Sequence, residues 1–192
     1  ELFGGYEAYM ANNFYNAFYS KLPSLIKGTA LPALARSLAP TKKKKGLINR
    51  IKRFVEGCDY PEKLMHYRWM SYLRNDEKKN LYTAEFRNRL NGIDAFESVS
   101  GYIQRFSGWD TFNQMMLTDL FVYLPEDILT KVDLMSMAVS LEARVPYLDH
   151  EVVELAYTIP GKFKISGSST KKILKETFSN LLPKEILQRK KE

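Results

Sequence analysis

In SLEARVPYLDH, Ser140 to His150, a carboxylate and a guanidinium stand two residues apart, at Glu142 and Arg144. Pro146 pushes Val145 toward extended backbone, and in an extended segment side chains two apart point to the same side. The pair therefore shares one face of a connector between helices. Two readings are open. The pair closes on itself as an ion pair at a helix end, or it walls a site, because an arginine held by one carboxylate keeps donors for a phosphate or a second carboxylate.

Upstream, PEDILTKVDLMSMA carries Glu126, Asp127, Lys131 and Asp133. Asp127 and Lys131 are helix neighbours four apart, a surface pair worth about 0.3 kcal/mol that needs no further explanation. Asp133 lies opposite an apolar stripe, and ordinary exposure accounts for it. In SGSSTKK, Ser168 or Ser169 with the lysine three residues on matches S-x-x-K, but the companion S-D-N and K-T-G signatures are missing. A serine or threonine before a helix is also what an N-cap requires. In QRKKE, basic residues suit the negative end of a helix dipole; the same lysines could neutralise a polyanionic leaving group. There is no G-x-x-x-x-G-K and no G-x-G-x-x-G. A single cysteine, Cys58, excludes an intrachain disulfide framework and a cysteine metal site, and it reads as an inert small residue. His66 and His150 are too few for a histidine-rich metal centre.

These residues must be positioned by a chain of 192 residues, a length that favours one domain and allows two. An apolar fraction of 45% with 13% aromatics argues for a folded core. No apolar run is long enough for a membrane span and no signal peptide is visible, so a cytoplasmic location is expected. The net charge of +7 gathers in Lys42–Lys45 and in Lys184, Arg189, Lys190 and Lys191. The first cluster lies between Pro40 and Gly46 and reads as a solvated loop. Without interleaved aromatics or a binding-motif signature, no nucleic acid partner is expected.

The pattern is helical almost throughout, and the fold class is mainly α. Tyr6, Met10, Phe14 and Phe18 fall four apart; Leu47, Ile51, Phe54 and Val55 follow helical spacing, with Gly57 as the expected stop. PEKLMHYRWMSYLR repeats less cleanly after its proline. Short helices are expected over 85–90 and 94–102, and a stronger one from Asp110 or Thr111 as cap. After Pro125, Ile128, Val132, Met135 and Val139 form a stripe expected to be buried. Val152, Val153, Ala156 and Ile159 form another, as do Ile173, Leu174, Thr177, Phe178 and Leu181, and a last short helix runs into the terminal charge. The chain opens on ELFGGYEAY and ends on RKKE, and is expected to be a piece of a longer protein.

In this order, ELFGGY, LPEDILTKVDLMSMAVSLEARVPYLDH, TKKILKETF and LLPKEILQRKKE resemble the C-terminal synthetase domain of glutamine-dependent asparagine synthetases. The resemblance makes residues 1–192 the truncated C-terminal part of such a domain, the helical part of an α/β fold similar to the ATP-pyrophosphatases. It implies adenylation of the aspartate side chain with ATP and Mg2+, then displacement of AMP by ammonia that an N-terminal glutaminase domain draws from glutamine. The family's phosphate loop, S-G-G-x-D-S, and its S-G-E-G-[SA]-D stretch with a magnesium-binding aspartate would precede this chain. No metal ligand is expected within it, and alone it is expected to be inactive. Glu1 matches the glutamate that follows that stretch, and Lys191 the lysine that holds departing pyrophosphate. Glu142 and Arg144 match E-A-R, Lys131 and Asp133 match K-x-D, and Lys171 matches a lysine of T-K-x-[LI]-L-K. On this basis Glu142, Arg144 and Lys191 are the expected catalytic residues, and Glu1, Lys131, Asp133 and Lys171 line the pocket. Leu134 departs from the arginine that many members carry. Relatives on the same scaffold build β-lactams and other amides, and a catalytically empty helical interaction module is the alternative of another class. The resemblance leaves the oligomeric state open.

Overall fold

The computed structural model describes residues 2–39, 46–73, 75–167 and 169–189. Glu1, the lysine run Lys42–Lys45 and Lys191 fall outside them. The described residues are mainly helical, as expected; a single isolated bridge, Ser166 with Ser169, is the only strand-like pairing among them. They form two compact units, one of Glu1–Met10 with Tyr102–Glu192, the other of Ala11–Gly101.

The first unit is discontinuous in sequence. Its helices are the start of α1 (Glu7–Ala17), the end of α7 (Phe96–Arg105), α8 (Thr111–Phe121), α9 (Thr130–Met137), α10 (His150–Thr158), α11 (Gly161–Lys164), α12 (Lys172–Thr177) and α13 (Lys184–Gln188). Leu2, Tyr9, Phe106, Met115, Met116, Leu117, Ala156, Tyr157 and Ile165 make its core. α8 starts where its cap chemistry places it. Asp110 accepts the backbone N–H of Phe112 and of Asn113, each at 3.1 Å, which satisfies donors that the first turn leaves without partners.

The stripe expected to be buried after Pro125 is a correction. Val132, Met135 and Val139 are 41%, 65% and 74% exposed. Leu124–Leu129 forms a π-helical turn before α9, and α9 ends at Met137. No residue of α9 is buried and all but Ser136 are exposed, so among the described residues the stripe has nothing to pack against, and Val139 lies beyond the helix. The next expectation fails in part for the same kind of reason. α12 closes at Thr177, so Ile173 and Leu174 are half-buried, whereas Thr177, Phe178 and Leu181 are exposed.

In the second unit, α2 (Leu31–Ser37), α3 (Leu47–Cys58), α4 (Glu62–Met70), α5 (Asn75–Leu81) and α6 (Ala84–Leu90) follow the rest of α1. The buried residues of α1 are Tyr9 and Asn12, not Phe14 or Phe18. α4 buries Met65, His66, Tyr67, Arg68 and Trp69 in succession. Over these five residues the helix is buried all round and has no polar face, which is why its repeat is unclear in the sequence. Arg68 meets Glu56 at 3.2 Å. Gly57 does not stop α3 but lies inside it, because the Trp69 indole occupies its missing side chain's place. A Cβ there would fall 1.8 Å from Trp69 Nε1. That indole stacks on Phe54, with centroids 5.6 Å apart, and donates to the Phe54 carbonyl at 3.3 Å. Cys58, in the same helix, has its thiol pushed up to about 12 by burial and then by the charge of Asp59. It stays protonated, in keeping with an inert role.

Gly57→Ala is expected to destabilise the protein by about 1–3 kcal/mol through overpacking against Trp69. Urea unfolding followed by tryptophan fluorescence measures it, and an unchanged midpoint would contradict the close approach.

Candidate functional site

The Gly4-Gly5 turn is the place to which the first unit brings its chemistry-bearing segments. Gly4 has φ +67°, in the left-handed region that favours glycine, and a Cβ on it would lie 2.4 Å from Ile165 Cγ1. The turn is therefore pressed onto the buried end of the 165–171 segment. Phe3 meets Tyr147 edge to face, with centroids 6.2 Å apart, and so touches the connector that carries Glu142 and Arg144. Tyr6 meets Tyr123 in the same manner at 5.7 Å, at the entry to the π turn that leads to Lys131 and Asp133. Gly5 lies under the Lys171 side chain, whose Cε would be 2.8 Å from a Cβ at that position. Four successive residues, Phe3 to Tyr6, thus meet Tyr147, Ile165, Lys171 and Tyr123, and of the expected site residues it is Lys171 that these contacts include.

Within those segments the sequence expectations meet different outcomes. Val145 is extended, at φ −112° and ψ 100°, as Pro146 requires. Glu142 and Arg144 point to the same side and form an ion pair, with side chains 66% and 87% exposed. Lys131 pairs with Asp127 at 3.0 Å on an exposed helix surface. Asp133 is exposed on α9, and its carbonyl accepts the Ser136 hydroxyl at 3.2 Å. Lys171 is exposed and has left-handed backbone, φ +54°, at the start of α12. Glu1 and Lys191 lie outside the described residues. Exposed cations at Arg144 and Lys171 suit an anionic ligand such as a phosphate chain. Among the described residues no three His, Cys, Asp or Glu side chains gather to hold a metal.

A buried cation beside this region has no counterpart in the sequence reading. Lys164 is fully buried; it donates to Asn113 Oδ1 at 2.7 Å, and its ammonium lies 4.5 Å from the Tyr157 ring centroid. Asn113 in turn donates to Asp110 Oδ2 at 2.9 Å and to the Ile159 carbonyl at 3.0 Å. Gly161 N–H donates to the same Asp110 oxygen at 3.2 Å. This network ties the start of α8 to the end of α10 and to α11. In KFKI the neighbouring Phe163 is the exposed residue, the reverse of what residue type alone suggests.

Burial lowers Lys164 from 10.5 to about 8, while the charge of Asp110 acts to raise it. Below about pH 8 both folded and unfolded chains hold the proton, and the cost of burying the charge is fully present. Between about pH 8 and the unfolded value of 10.5 the folded chain releases it first, so this group's contribution to stability rises with pH. Cys58 acts in the opposite sense above its unfolded value of 9.0. Subtracting the profile of Lys164→Met removes that background. The difference in urea-unfolding free energy between wild type and variant is expected to shift in favour of wild type from pH 8 to 10, and a flat difference would refute the assignment.

The sequence profile of the asparagine synthase family matches residues 1–192. Asparagine synthetase [glutamine-hydrolyzing] 1 of Bacillus subtilis (strain 168) is 29% identical over 191 residues, which are 100% of this chain and 28% of that protein. The putative asparagine synthetase [glutamine-hydrolyzing] of Mycobacterium bovis is 42% identical over 85 residues, 44% of this chain and 13% of the relative. Asparagine synthetase [glutamine-hydrolyzing] of Rattus norvegicus is 40% identical over 83 residues, 42% of this chain and 14% of the relative. The chain thus spans under a third of the curated relatives it matches. No solved structure matches it. With the family profile running the full length of the described fold and through each segment gathered at the Gly4-Gly5 turn, the chain belongs to the asparagine synthase family.

Proposed function

We propose that this chain is the C-terminal part of the synthetase domain of a ligase that activates aspartate with ATP and transfers glutamine-derived ammonia to give asparagine, AMP and pyrophosphate. The observation that carries the reading is the family profile over residues 1–192, and the contacts of the Phe3 to Tyr6 turn with Tyr147, Lys171 and Tyr123 support it. In this reading a side-chain carboxylate oxygen of aspartate attacks the α-phosphorus of ATP, and the bond to pyrophosphate breaks. Ammonia then attacks the acyl carbon, AMP leaves, and the nitrogen loses one proton to become the amide.

Negative charge builds on the leaving pyrophosphate, and positioned cations lower that barrier. Lys191 has that role, with Lys171 beside the turn as a second cation. Arg144, held by Glu142, orients an anionic group of the substrate through its remaining donors. Glu142 is the nearby carboxylate that accepts a proton from the attacking ammonia. Lys131, Asp133 and Glu1 are assigned to substrate or nucleotide binding in the same reading. Mg2+ would shield the phosphates when bound, and its ligands belong to the stretch that the family carries before Glu1. The glutaminase domain supplying ammonia, and a cytoplasmic location, are part of the same proposal. Among the described residues no helix is long and apolar enough to cross a membrane.

In the full-length protein, Glu142→Gln and Lys191→Ala are each expected to lower aspartate-dependent ATP–pyrophosphate exchange by about 10²-fold or more. Exchange unchanged by both variants would remove these residues from the site. Exchange that depends on an acid other than aspartate would instead favour a different amide-forming member of the same scaffold.

A further inference from the structure

The two glycines of the turn meet different neighbours. Gly4 has left-handed backbone and is packed against Ile165, itself buried, so its lack of a side chain serves the fold. Gly5 is not among the residues of positive φ, so its backbone suits any L residue. What occupies the space of its missing side chain is the far end of one flexible side chain. A Cβ at Gly5 would lie 2.8 Å from Lys171 Cε, 3.8 Å from Nζ and 4.0 Å from Cδ. Carbon atoms pack at about 3.5–4.0 Å, so the lysine chain rests on the bare backbone more closely than a methyl group would permit.

The other end of the lysine is fixed as well. Ser166 and Ser169 exchange backbone hydrogen bonds of 3.1 and 2.9 Å, closing a tight turn in which Gly167 has φ +56°. Lys171 then takes φ +54°, an uncommon conformation for a residue with a side chain, and its carbonyl accepts the Lys175 N–H at 3.1 Å. The segment from Ile165 to Lys171 therefore grips the Gly-Gly turn at both residues, with Ile165 beneath Gly4 and Lys171 over Gly5.

We propose that Gly5 is a positioning residue, whose missing side chain seats the Lys171 ammonium as a binding group for a phosphate-bearing anion. This rests on the reading of the turn as part of the synthetase site. It adds a role that neither a glycine-rich turn nor an exposed lysine has alone. A methyl group at Gly5 displaces the lysine chain without removing its charge, so Gly5→Ala moves the cation, whereas Lys171→Ala removes it.

The test is a double-mutant cycle on the full-length protein, with inorganic pyrophosphate as the probe in calorimetric titration and thermal unfolding alongside. Gly5→Ala is expected to weaken pyrophosphate binding roughly tenfold with little change in Tm, and Lys171→Ala by at least as much. Introduced into Lys171→Ala, Gly5→Ala is expected to have no further effect. Should Gly5→Ala alone unfold the protein, the shortened side chain of Lys171→Ala is expected to restore folding. Binding that Gly5→Ala leaves unchanged, an equal loss with and without Lys171, or unfolding of both the single and the double variant would overturn the assignment. The two proposals fail separately. Loss of coupling with intact aspartate-dependent exchange removes only the lysine seat; coupling without any such exchange removes only the proposed reaction.

Discussion

A phenol and a carboxylate separated by 110 positions hold the first unit together. Tyr9 donates to Asp119 Oδ2 at 2.5 Å, and both side chains are buried. Closing so long a loop is entropically costly, so the contacts that close it must outweigh that loss. A hydrogen bond to a carboxylate is among the stronger ones available, and Leu2 and Tyr9 add apolar burial beside it. With residues 2–10 anchored this way, the turn of Phe3 to Tyr6 has a fixed place. The approach of Tyr147, Lys171 and Tyr123 to it depends on that anchor.

Buried and exposed charges have different tasks in this unit. Lys164, Asn113 and Asp110 are satisfied by one another and by the backbone, and they lock helix ends whose polar groups would otherwise lack partners. Glu142 and Arg144 are largely in solvent, where an ion pair contributes little to stability. Their geometry comes from Pro146 and the extended backbone before it, not from their attraction. Charge of that kind becomes effective in catalysis only where water is excluded. Val132, Met135 and Val139 on the same stretch are exposed too. An apolar face studded with charges is what a larger domain would cover in the proposed reading.

Much of the local structure was legible in the sequence. Asp110 marked the start of α8, because a carboxylate at an N-cap acts on N–H groups two and three residues away. Pro146 marked the extended connector, and two-residue spacing marked the shared face of Glu142 and Arg144. Burial was read less well. The stripe after Pro125 failed because α9 has no packing partner among the described residues, and α4 was unclear because residues 65–69 are buried in succession. Gly57 looked like a helix stop and is instead the space taken by Trp69, a neighbour twelve residues on.

The sequence by itself determined the helical class, the caps and breaks, and, through motifs in a fixed order, the family. These are set by interactions within a few residues, or by residue identity alone. Tertiary structure alone decided which charges are buried, with Lys164 inside while Phe163 beside it is exposed. It also decided that Phe3, Gly5 and Tyr6 meet Tyr147, Lys171 and Tyr123. Those contacts join positions more than a hundred residues apart, and no local periodicity carries them. They exist because the unit's core closes around Tyr9 and Asp119.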